Sequence, residues 1–390
     1  MPTRFHDTEQ ARARHGERVA RLGSFLSLGD PLADAVVKDA FESLPAGRGW
    51  AQVQRALDGG ISSVTDAHPA ILAFFTQLEQ VPPWVDWALI DRAGALLLRT
   101  GYFGGLVLGL YSLPYGYASP GGNKPLAFSG RLTETAPRRL IETARFVHAV
   151  CLPGSLRRGA EAFKITVKVR LMHAQVRRLC NDSAQWDRAA WGEPINQHDM
   201  SATTLLFSLV VLDGLRKLGF AVSAREAEEY LQLWKYVGWL MGGELELLPN
   251  TEAEAVQLAE LLVATQGEPD EDSRSLTRAL LDSPLQGART PFARRRAAVL
   301  QYFTHVVAQR LLGPEMADKL GVPRSPLDPL FPILRGAIRV AERVRKFSAR
   351  AHRVSVSLGS RYWEQLIDFG LEGKPADFRP PVRLATAPRD

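Results

Sequence analysis

The stretch Ile165–Leu179 (ITVKVRLMHAQVRRL) has an aliphatic side and a basic side, and it predicts a buried helix. On a period of 3.6 residues Arg170 lies one turn before His173 and Arg177 one turn after it, so the three share one face. This face suits an iron porphyrin, because the imidazole can ligate iron and the guanidiniums can pair with propionate carboxylates. The alternative is a hydrogen-bonded core histidine, the commoner use of a lone histidine in an apolar helix.

Helical periodicity continues through nearly all of the chain, which predicts an all-α protein with one large domain. The predicted helices cover residues 8–24, 30–43, 48–57, 68–79, 86–112, 135–150, 160–180, 200–218, 223–243, 251–266, 272–283, 291–311 and 328–350. Helix-start signals are Thr135, Asp199 or Ser201, and Ser223. A strand is predicted only locally, at Val354–Leu358.

The most apolar stretch is Ala93–Tyr117 (AGALLLRTGYFGGLVLGLYSLPYGY), which approaches the length of a membrane span. Arg99 and Pro114 interrupt it, so it predicts a buried central helix rather than a span. Its glycines permit the close approach of another helix or of a flat ligand; they are Gly101, Gly104, Gly105 and Gly109.

The composition is ordinary for a globular protein, with 46% hydrophobic and 23% charged residues in a chain of 390. Two cysteines, Cys151 and Cys180, exclude a disulfide scaffold and match no zinc pattern, so both are predicted as buried thiols. The first thirty residues contain no apolar signal core and no twin-arginine signal, which predicts a cytoplasmic location.

Several standard chemical motifs are absent from the sequence. There is no P-loop, no GxGxxG after a strand, no HExxH and no GxSxG. His148 and His173 could both line a site. The other histidines form no ligand cluster, so a non-haem metal centre is not expected; they are His6, His15, His68, His198, His305 and His352.

The net charge of +6 arises from arginine-rich segments late in the chain. One segment is Arg294–Arg296. In the second segment, basic residues recur at three- and four-residue spacing among Ile338, Val340, Val344 and Phe347, as expected for an amphipathic basic helix. The basic residues of the second segment are Arg335, Arg339, Arg343, Arg345, Lys346, Arg350 and Arg353. A solvated helix face, a membrane-surface contact and nucleic-acid binding remain open, but no nucleic-acid module accompanies the charge.

Three blocks of sequence resemble the bacterial latex-clearing proteins and the wider group of MpaB-type oxygenases. They are Val169–Val176 (VRLMHAQV), Trp191–Asp199 (WGEPINQHD) and Trp234–Pro249 (WKYVGWLMGGELELLP). Upstream, Arg139 and Thr143 lie 34 and 30 residues before His173 and match the family's distal-side Arg and Thr in type and spacing. The resemblance spans residues 85–250, and the order and spacing of the blocks make it specific.

The resemblance implies a globin-like helical core that holds one haem b, with His173 as the proximal iron ligand. It also implies cleavage of an isoprenoid carbon–carbon double bond by dioxygen, giving aldehyde and ketone ends. Arg139 and Thr143 would then lie above the iron, near bound oxygen. Arg170 and Arg177 would match residues around the propionates.

The chain departs from one branch of this family at two positions. Glu142 stands where that branch has a distal lysine able to cap the iron, and it is a candidate general base. Its alternative role is a surface carboxylate paired with Arg138 or Arg139. Asn123, in the loop Gly121–Pro125, aligns with a catalytic glutamate, and an amide cannot accept a proton there.

Three functions are therefore compatible with the sequence. The first is a haem-dependent oxygenase that acts with O2 on an isoprenoid or other apolar unsaturated lipid, through a channel lined by Phe103, Leu106, Leu108 and Tyr111. The second is a haem-binding protein without cleavage activity, such as a sensor, store or peroxidase-like scavenger. The third is a helical lipid-binding protein without haem. A nucleic-acid partner is not expected, and the oligomeric state is left open.

The resemblance and the charge pattern together predict four regions. They are an N-terminal helical region at 1–84 that packs on the core, a haem-binding oxygenase core at 85–250, a C-terminal helical region with the basic helix at 251–372, and an extended tail at 373–390. Each region is defined by sequence alone. The first three are expected to share one hydrophobic core.

Overall fold

A computed structural model describes residues 1–128, 136–283 and 290–372, and within these ranges every regular element is a helix. Up to residue 151 the α-helices are Glu9–His15, Arg18–Ser24, Pro31–Ala35, Phe41–Ser43, Arg48–Gly59, Pro69–Glu79, Trp87–Ala93, Ala95–Leu98, Tyr102–Val107, Leu113–Tyr117, Lys124–Phe128 and Ala136–Cys151. The remaining α-helices are Glu161–Asn181, Arg188–Trp191, Gln197–Phe207, Leu209–Leu218, Ala224–Leu240, Glu252–Ala264, Glu271–Asp282, Pro291–Leu312, Pro314–Lys319, Phe331–Lys346 and Ala349–Leu371.

The predicted fold class is confirmed, because the chain forms one large helical domain around a dominant hydrophobic core. Residues from the N-terminal, middle and C-terminal parts of the chain all contribute to this core, including Val19, Leu171 and Trp363. The four sequence regions and the globin-like character of the core stay predictions. The predicted tail lies outside the described residues.

Two long helices at the centre of the domain carry the predicted site. The His173 helix spans Glu161–Asn181, and the Arg139 helix spans Ala136–Cys151 and packs against it. Phe163, Val167 and Leu171 recur every fourth residue on one side of the His173 helix and are fully or almost fully buried. Burial of each such side chain stabilises the fold by about 1.5–3 kcal/mol, which fixes the rotation of this helix in the core.

Both cysteines are buried thiols, as predicted. Cys151 ends the Arg139 helix, and Cys180 lies in the last turn of the His173 helix. Neither is in a disulfide. They therefore act as small apolar side chains in the packing of the two helices.

The helix predicted at 86–112 is wrong as a single element, because the chain bends at Arg99–Gly101. The segments Trp87–Leu98 and Tyr102–Tyr117 meet at 86°. Among the described residues, no single helix has the length and hydropathy of a membrane span, and this bent pair is the one combination that reaches them. Gly101 allows the bend with a φ of +47°, in the left-handed region that favours glycine. A Cβ there would lie 3.3 Å from the Cα of Gly359, so the predicted close approach of another helix is confirmed at Gly101.

Arg99 interrupts the apolar stretch without being exposed, because it has carboxylate partners inside the protein. Its side chain is fully buried and its guanidinium contacts Glu226 at 3.0 Å and Glu342 at 2.9 Å. It also donates a 3.0 Å hydrogen bond to the carbonyl oxygen of Ala221. The charge is tolerated in the core because these acceptors come from two distant helices.

The strand predicted at Val354–Leu358 is wrong, since these residues lie within the C-terminal helix Ala349–Leu371. The alternation of apolar and polar residues there is too short to distinguish the two-residue period of a strand from the 3.6-residue period of a helix. Further along, Trp363, Ile367 and Leu371 are buried at four-residue spacing. This helical row packs the C-terminal helix against the Arg139 helix, and that contact overrides the local strand preference.

The helix-start signals had mixed outcomes. Ser223 caps its helix, as predicted, and the structure adds a capping box with Glu226, in which each side chain accepts a hydrogen bond from the other's backbone N–H. The helix expected to begin at Asp199 or Ser201 instead begins at Gln197, because the Asn196 side chain accepts a 2.9 Å hydrogen bond from the backbone N–H of Asp199. Thr135 lies outside the described residues.

Candidate functional site

Arg170 is almost fully buried, and its guanidinium is engaged by other parts of the protein. Its Nε and Nη2 donate to the two carboxylate oxygens of Asp30 at 2.6 and 2.9 Å, which is a bidentate ion pair. Its Nη1 donates to the side chain of Gln77 at 3.0 Å and to the carbonyl oxygen of Leu240 at 3.3 Å. Every nitrogen of this guanidinium therefore has an acceptor in the protein.

Arg177 is engaged in the same way. Its Nη1 donates to the carboxylate of Asp34, and its Nε and Nη2 donate to the carbonyl oxygens of Pro194 at 3.1 Å and Ile195 at 3.0 Å. Ile195 has a φ of +49°, which is unusual for a β-branched residue. Burial raises the pKa of Asp34, although the charge of Arg177 opposes this shift.

The sequence blocks that carry the family resemblance converge on these two arginines. Gln197, in the second block, donates 2.8 and 2.9 Å hydrogen bonds to the carbonyl oxygens of Gly29 and Gly242. Gly242, in the third block, has a φ of +83° and packs so closely that a Cβ would lie 2.4 Å from Asp30 and 2.7 Å from Arg170. The blocks therefore build the shell around the ion pairs of the His173 helix.

Asp30 and Asp34 are the partners that sequence reasoning missed. The only signal in the sequence is Asp30-Pro31, which is typical of a helix start, and Asp30 does cap the helix Pro31–Ala35. Nothing local indicates that this helix packs against the His173 helix. Pairing of Arg170 and Arg177 with propionates stays a prediction, and the acceptors found here are protein carboxylates.

His173 lies between the two arginines and differs from them in its surroundings. The residue as a whole is half-buried, and its Nδ1 is buried and has no hydrogen-bond partner among the residues that the structure describes. Desolvation and then the charge of Arg177 lower the pKa of His173 to about 4, with a further decrease from Arg139 and an opposing increase from Asp30. The imidazole is therefore neutral at pH 7, which is the form that ligates a metal ion.

The Arg139 helix brings the second set of predicted residues toward His173. The charge of Arg139 acts on His173 and also on Tyr117, where it opposes the burial that raises the pKa of this phenol to about 12. Thr143 lies one turn after Arg139 and is half-buried. The structure therefore brings Arg139 within electrostatic range of His173.

Glu142 has the partner that the alternative interpretation predicted. Its Oε1 accepts a 3.0 Å hydrogen bond from Nε of Arg138, and the carboxylate side chain is 20% exposed. An i,i+4 pair of this kind holds a carboxylate loosely and leaves its second oxygen available. The pairing with Arg138 is compatible with a proton acceptor as well as with a structural residue.

Asn123 occupies a position that is built for a hydrogen-bond donor. It is fully buried, and its Nδ2 donates to the carbonyl oxygen of Tyr117 at 3.0 Å and to Oγ of Ser273 at 3.1 Å. A carboxylate there would face the carbonyl oxygen of Tyr117 without a proton to share. The Asn123 side chain therefore joins two segments of the fold.

The residues predicted to line a substrate channel pack in or against the core. Leu106 and Tyr111 are buried, while Phe103 and Leu108 are partly buried against the core. The hydroxyl of Tyr111 donates to the carboxylate of Asp213 at 2.5 Å. Their role as a channel stays a prediction.

A cavity of about 270 Å³ lies near the N-terminus, away from the predicted site. Its walls include Arg4, Phe5, the loop at 119–121 and His198. Within the described part of the chain, its lining includes none of the six predicted site residues. It therefore adds nothing to the description of the His173 face.

Comparisons with known proteins agree with the fold and with the sequence blocks. Residues 87–343 match the family model described as ER-bound oxygenase mpaB/B'/Rubber oxygenase, catalytic domain. The rubber oxygenase of Streptomyces sp. (strain K30) is 25% identical over 285 residues, which cover 71% of this chain and 65% of that protein. The chain thus spans less than two thirds of this relative's length.

A solved structure extends the comparison to the fold. The structure of latex clearing protein LCP in the closed state matches with a TM-score of 0.66 at 21% identity, over 88% of this chain and 90% of that one. At this identity the likeness supports the all-helical fold alone. The two chains share their architecture over most of their lengths.

These observations first define a class: a single all-helical domain of the kind found in this group of oxygenases. The chain belongs to the family of mpaB and rubber oxygenase catalytic domains, since the family model covers well over half of its residues. The family resemblance predicted from the three sequence blocks is thereby confirmed.

Proposed function

We propose that this chain is a haem b-dependent oxygenase that uses O2 to cleave a carbon–carbon double bond in an apolar unsaturated substrate, with isoprenoids as the substrate class. Family membership supports an oxygenase. The name of the Streptomyces relative, rubber oxygenase, supports a polyisoprene-like substrate. The observation that carries the cofactor assignment is the neutral His173 imidazole, whose buried Nδ1 has no hydrogen-bond partner in the described part of the chain.

The surroundings of His173 are compatible with a role of its imidazole as the ligand of a haem iron. A buried polar nitrogen without a partner is costly, and in a native protein such a group calls for an explanation, such as a functional role or a bound ligand or water. A neutral imidazole on a central helix could hold the haem iron. Arg170 and Arg177 would reach the propionates only by sharing their guanidiniums with Asp30 and Asp34.

Bound haem would supply the iron at which O2 is activated, and the protein supplies the surroundings of that reaction. Arg139 would orient O2 and stabilise negative charge on it, because a guanidinium interacts strongly in a desolvated pocket. Thr143 would donate a hydrogen bond from its hydroxyl group. Glu142 would accept a proton on Oε2, because its Oε1 is held by Arg138.

The visible spectrum and iron content of the purified protein test the cofactor. The wild-type chain should show a Soret band and stoichiometric iron. His173→Ala should lose the band or hold haem loosely. His148→Ala is the matched control, since His148 contacts Ser360 at 3.1 Å and should leave the band intact. An unchanged spectrum and iron content in His173→Ala would exclude the ligand assignment.

A second candidate is a haem-binding protein without cleavage activity, and Asn123 favours it, since a donor replaces the glutamate of one family branch. Oxygen uptake with a polyisoprenoid separates the two, because only the oxygenase consumes O2 as the substrate is cleaved. A helical lipid-binding protein without haem would show no Soret band at all. The predicted cytoplasmic location is part of the proposal.

A further inference from the structure

The helix Phe331–Lys346, called here the basic helix, presents an apolar surface that the protein leaves uncovered. Its buried side consists of Phe331, Ile338 and Glu342. A second set of apolar side chains points away from the domain and forms the apolar row, with exposed fractions of 69% for Ile333, 60% for Val340, 61% for Val344 and 92% for Phe347. At 100° per residue these four fall within about 60° of the helix circumference.

Cations border this apolar row. Arg339, Arg343 and Lys346, called here the basic row, are exposed and fall on the arc between the buried side and the apolar row. Among the described residues no carboxylate forms an ion pair with any of the three. They are therefore available to an anionic partner outside the chain.

The same chemistry continues beyond the basic helix. On the C-terminal helix, Val354 and Leu358 are 48% and 59% exposed next to Arg350 and Arg353. A shallow groove of about 570 Å³ elsewhere on the domain contains both basic and apolar side chains; its lining is Arg295, Arg296, Val299, Leu300, Phe303 and Leu327. Exposed apolar side chains grouped in this way mark an interaction site on a folded domain.

The combination of an apolar row with a basic row distinguishes among possible partners. Nucleic acid would use the cations but would gain nothing from four exposed aliphatic and aromatic side chains. A second copy that packs its own basic helix against this one would cover the apolar row but would bring only further cations, so the basic row would gain no anionic partner. An anionic lipid surface satisfies both rows at once, because acyl chains accept the apolar side chains and phosphates accept the cations.

We propose that the basic helix lies in the headgroup region of an anionic phospholipid bilayer. The apolar row is buried among the acyl chains, and the basic row binds lipid phosphates. This inference rests on the exposed surface of the helix and is independent of the proposed haem chemistry. An apolar substrate dissolved in the same bilayer would then be concentrated beside the domain.

Cosedimentation of the full chain with vesicles tests this proposal. Vesicles of phosphatidylcholine with phosphatidylserine should bind the chain, whereas pure phosphatidylcholine should bind it much more weakly, and added salt should weaken the binding. Arg343→Gln should lower the partition coefficient about fivefold, the effect of one cation at an anionic surface. Arg278→Gln, an exposed arginine on another helix, is the control and should bind like wild type.

A second pair of variants tests insertion of the apolar row. Val344→Glu should lower the partition coefficient at least about tenfold, because a carboxylate neither enters the acyl region nor tolerates anionic headgroups. Val263→Glu is the matched control, since Val263 is 62% exposed on the helix Glu252–Ala264 and should bind like wild type. Unchanged circular dichroism and thermal midpoint show that each variant is folded.

Three results would overturn the proposal. One is failure of the wild-type chain to bind anionic vesicles. Another is equal binding by Val344→Glu and Val263→Glu. The third is a stable dimer in sedimentation velocity that Val344→Glu dissociates, because a second copy would then cover the apolar row.

Discussion

Arg170 and Arg177 differ from His173 in one respect, although all three lie on one face of the same helix. The guanidinium groups are satisfied by Asp30, Asp34 and backbone carbonyl oxygens. The imidazole between them has a buried Nδ1 without a hydrogen-bond partner in the described chain. One helix face thus carries both a completed polar network and an incomplete one.

Under the proposed function, this difference separates the arginines, which hold the fold, from His173, which would bind the cofactor. Fully paired buried charges fix how neighbouring segments dock, because removing either partner leaves a charge in the core. An unpartnered buried nitrogen gives the fold nothing in return for its desolvation. Substitutions at the arginine pairs should therefore affect stability, and substitutions at His173 should affect function.

The largest effect is expected when an arginine loses its carboxylate. Asp30→Asn preserves the helix cap but leaves the buried charge of Arg170 uncompensated, so the free energy of unfolding should fall by about 3–5 kcal/mol. Urea denaturation measures this change. Asp7→Asn, which removes the exposed pair with Arg12, should leave the urea midpoint unchanged. Equal midpoints for the two variants would show that the pair does not support the fold.

Removing Arg139 should lower activity and leave stability unchanged, whereas breaking the Arg170 pair should lower stability. Arg139→Ala should lower alkene cleavage by about 100- to 1000-fold, because it removes a preorganised donor, while haem content and the urea midpoint persist. Substrate turnover with a polyisoprenoid measures the rate. Arg145→Ala is the control on the same helix, since Arg145 pairs with Glu161 near the surface. Full turnover in Arg139→Ala would remove this residue from the active site.

The pH dependence of stability should report the unpartnered imidazole in the haem-free chain. Because the pKa of His173 is about 4 when folded and near 6.5 when unfolded, the unfolded chain binds the proton first as pH falls. Stability should therefore decrease between about pH 6.5 and about pH 4, by on the order of 3 kcal/mol. Urea denaturation at several pH values in this range should show that the free energy of unfolding of His173→Leu depends less steeply on pH than that of the wild type. The same slope in both proteins would mean that His173 has a partner in solution.

The smallest of these effects is expected at Glu142, a carboxylate that is paired but not buried. Glu142→Gln should lower turnover by about 100-fold, because the shape is kept and only proton transfer is lost. The free energy of unfolding of this variant should differ from that of the wild type by no more than about 0.5 kcal/mol, the contribution of an i,i+4 ion pair. Turnover and urea midpoint measured on the same preparation separate the two roles. Full turnover would assign Glu142 to the pair with Arg138 alone.

Much of the helical architecture could be predicted because helical periodicity is a local property. The predicted bounds of the His173 helix differ from the observed ones by one residue at each end, and Ser223 precedes its helix as predicted. The errors occurred where a distant contact decided the outcome. Arg99 and Gly101 bend the apolar stretch, and Gly359 packs against Leu98 in a helix that locally resembled a strand.

The sequence by itself determined which side chains share the His173 face, because residue type and helical spacing are local properties of the chain. It also determined the family, through the order of three short blocks. Only the tertiary structure decided that Asp30 and Asp34 neutralise the arginines and that Asn123 joins two segments. It also decided that Nδ1 of His173 has no such partner within residues 1–128, 136–283 and 290–372. The physical reason is that the partner of a buried polar group depends on which distant segments pack together in the core. Local periodicity does not predict such long-range contacts.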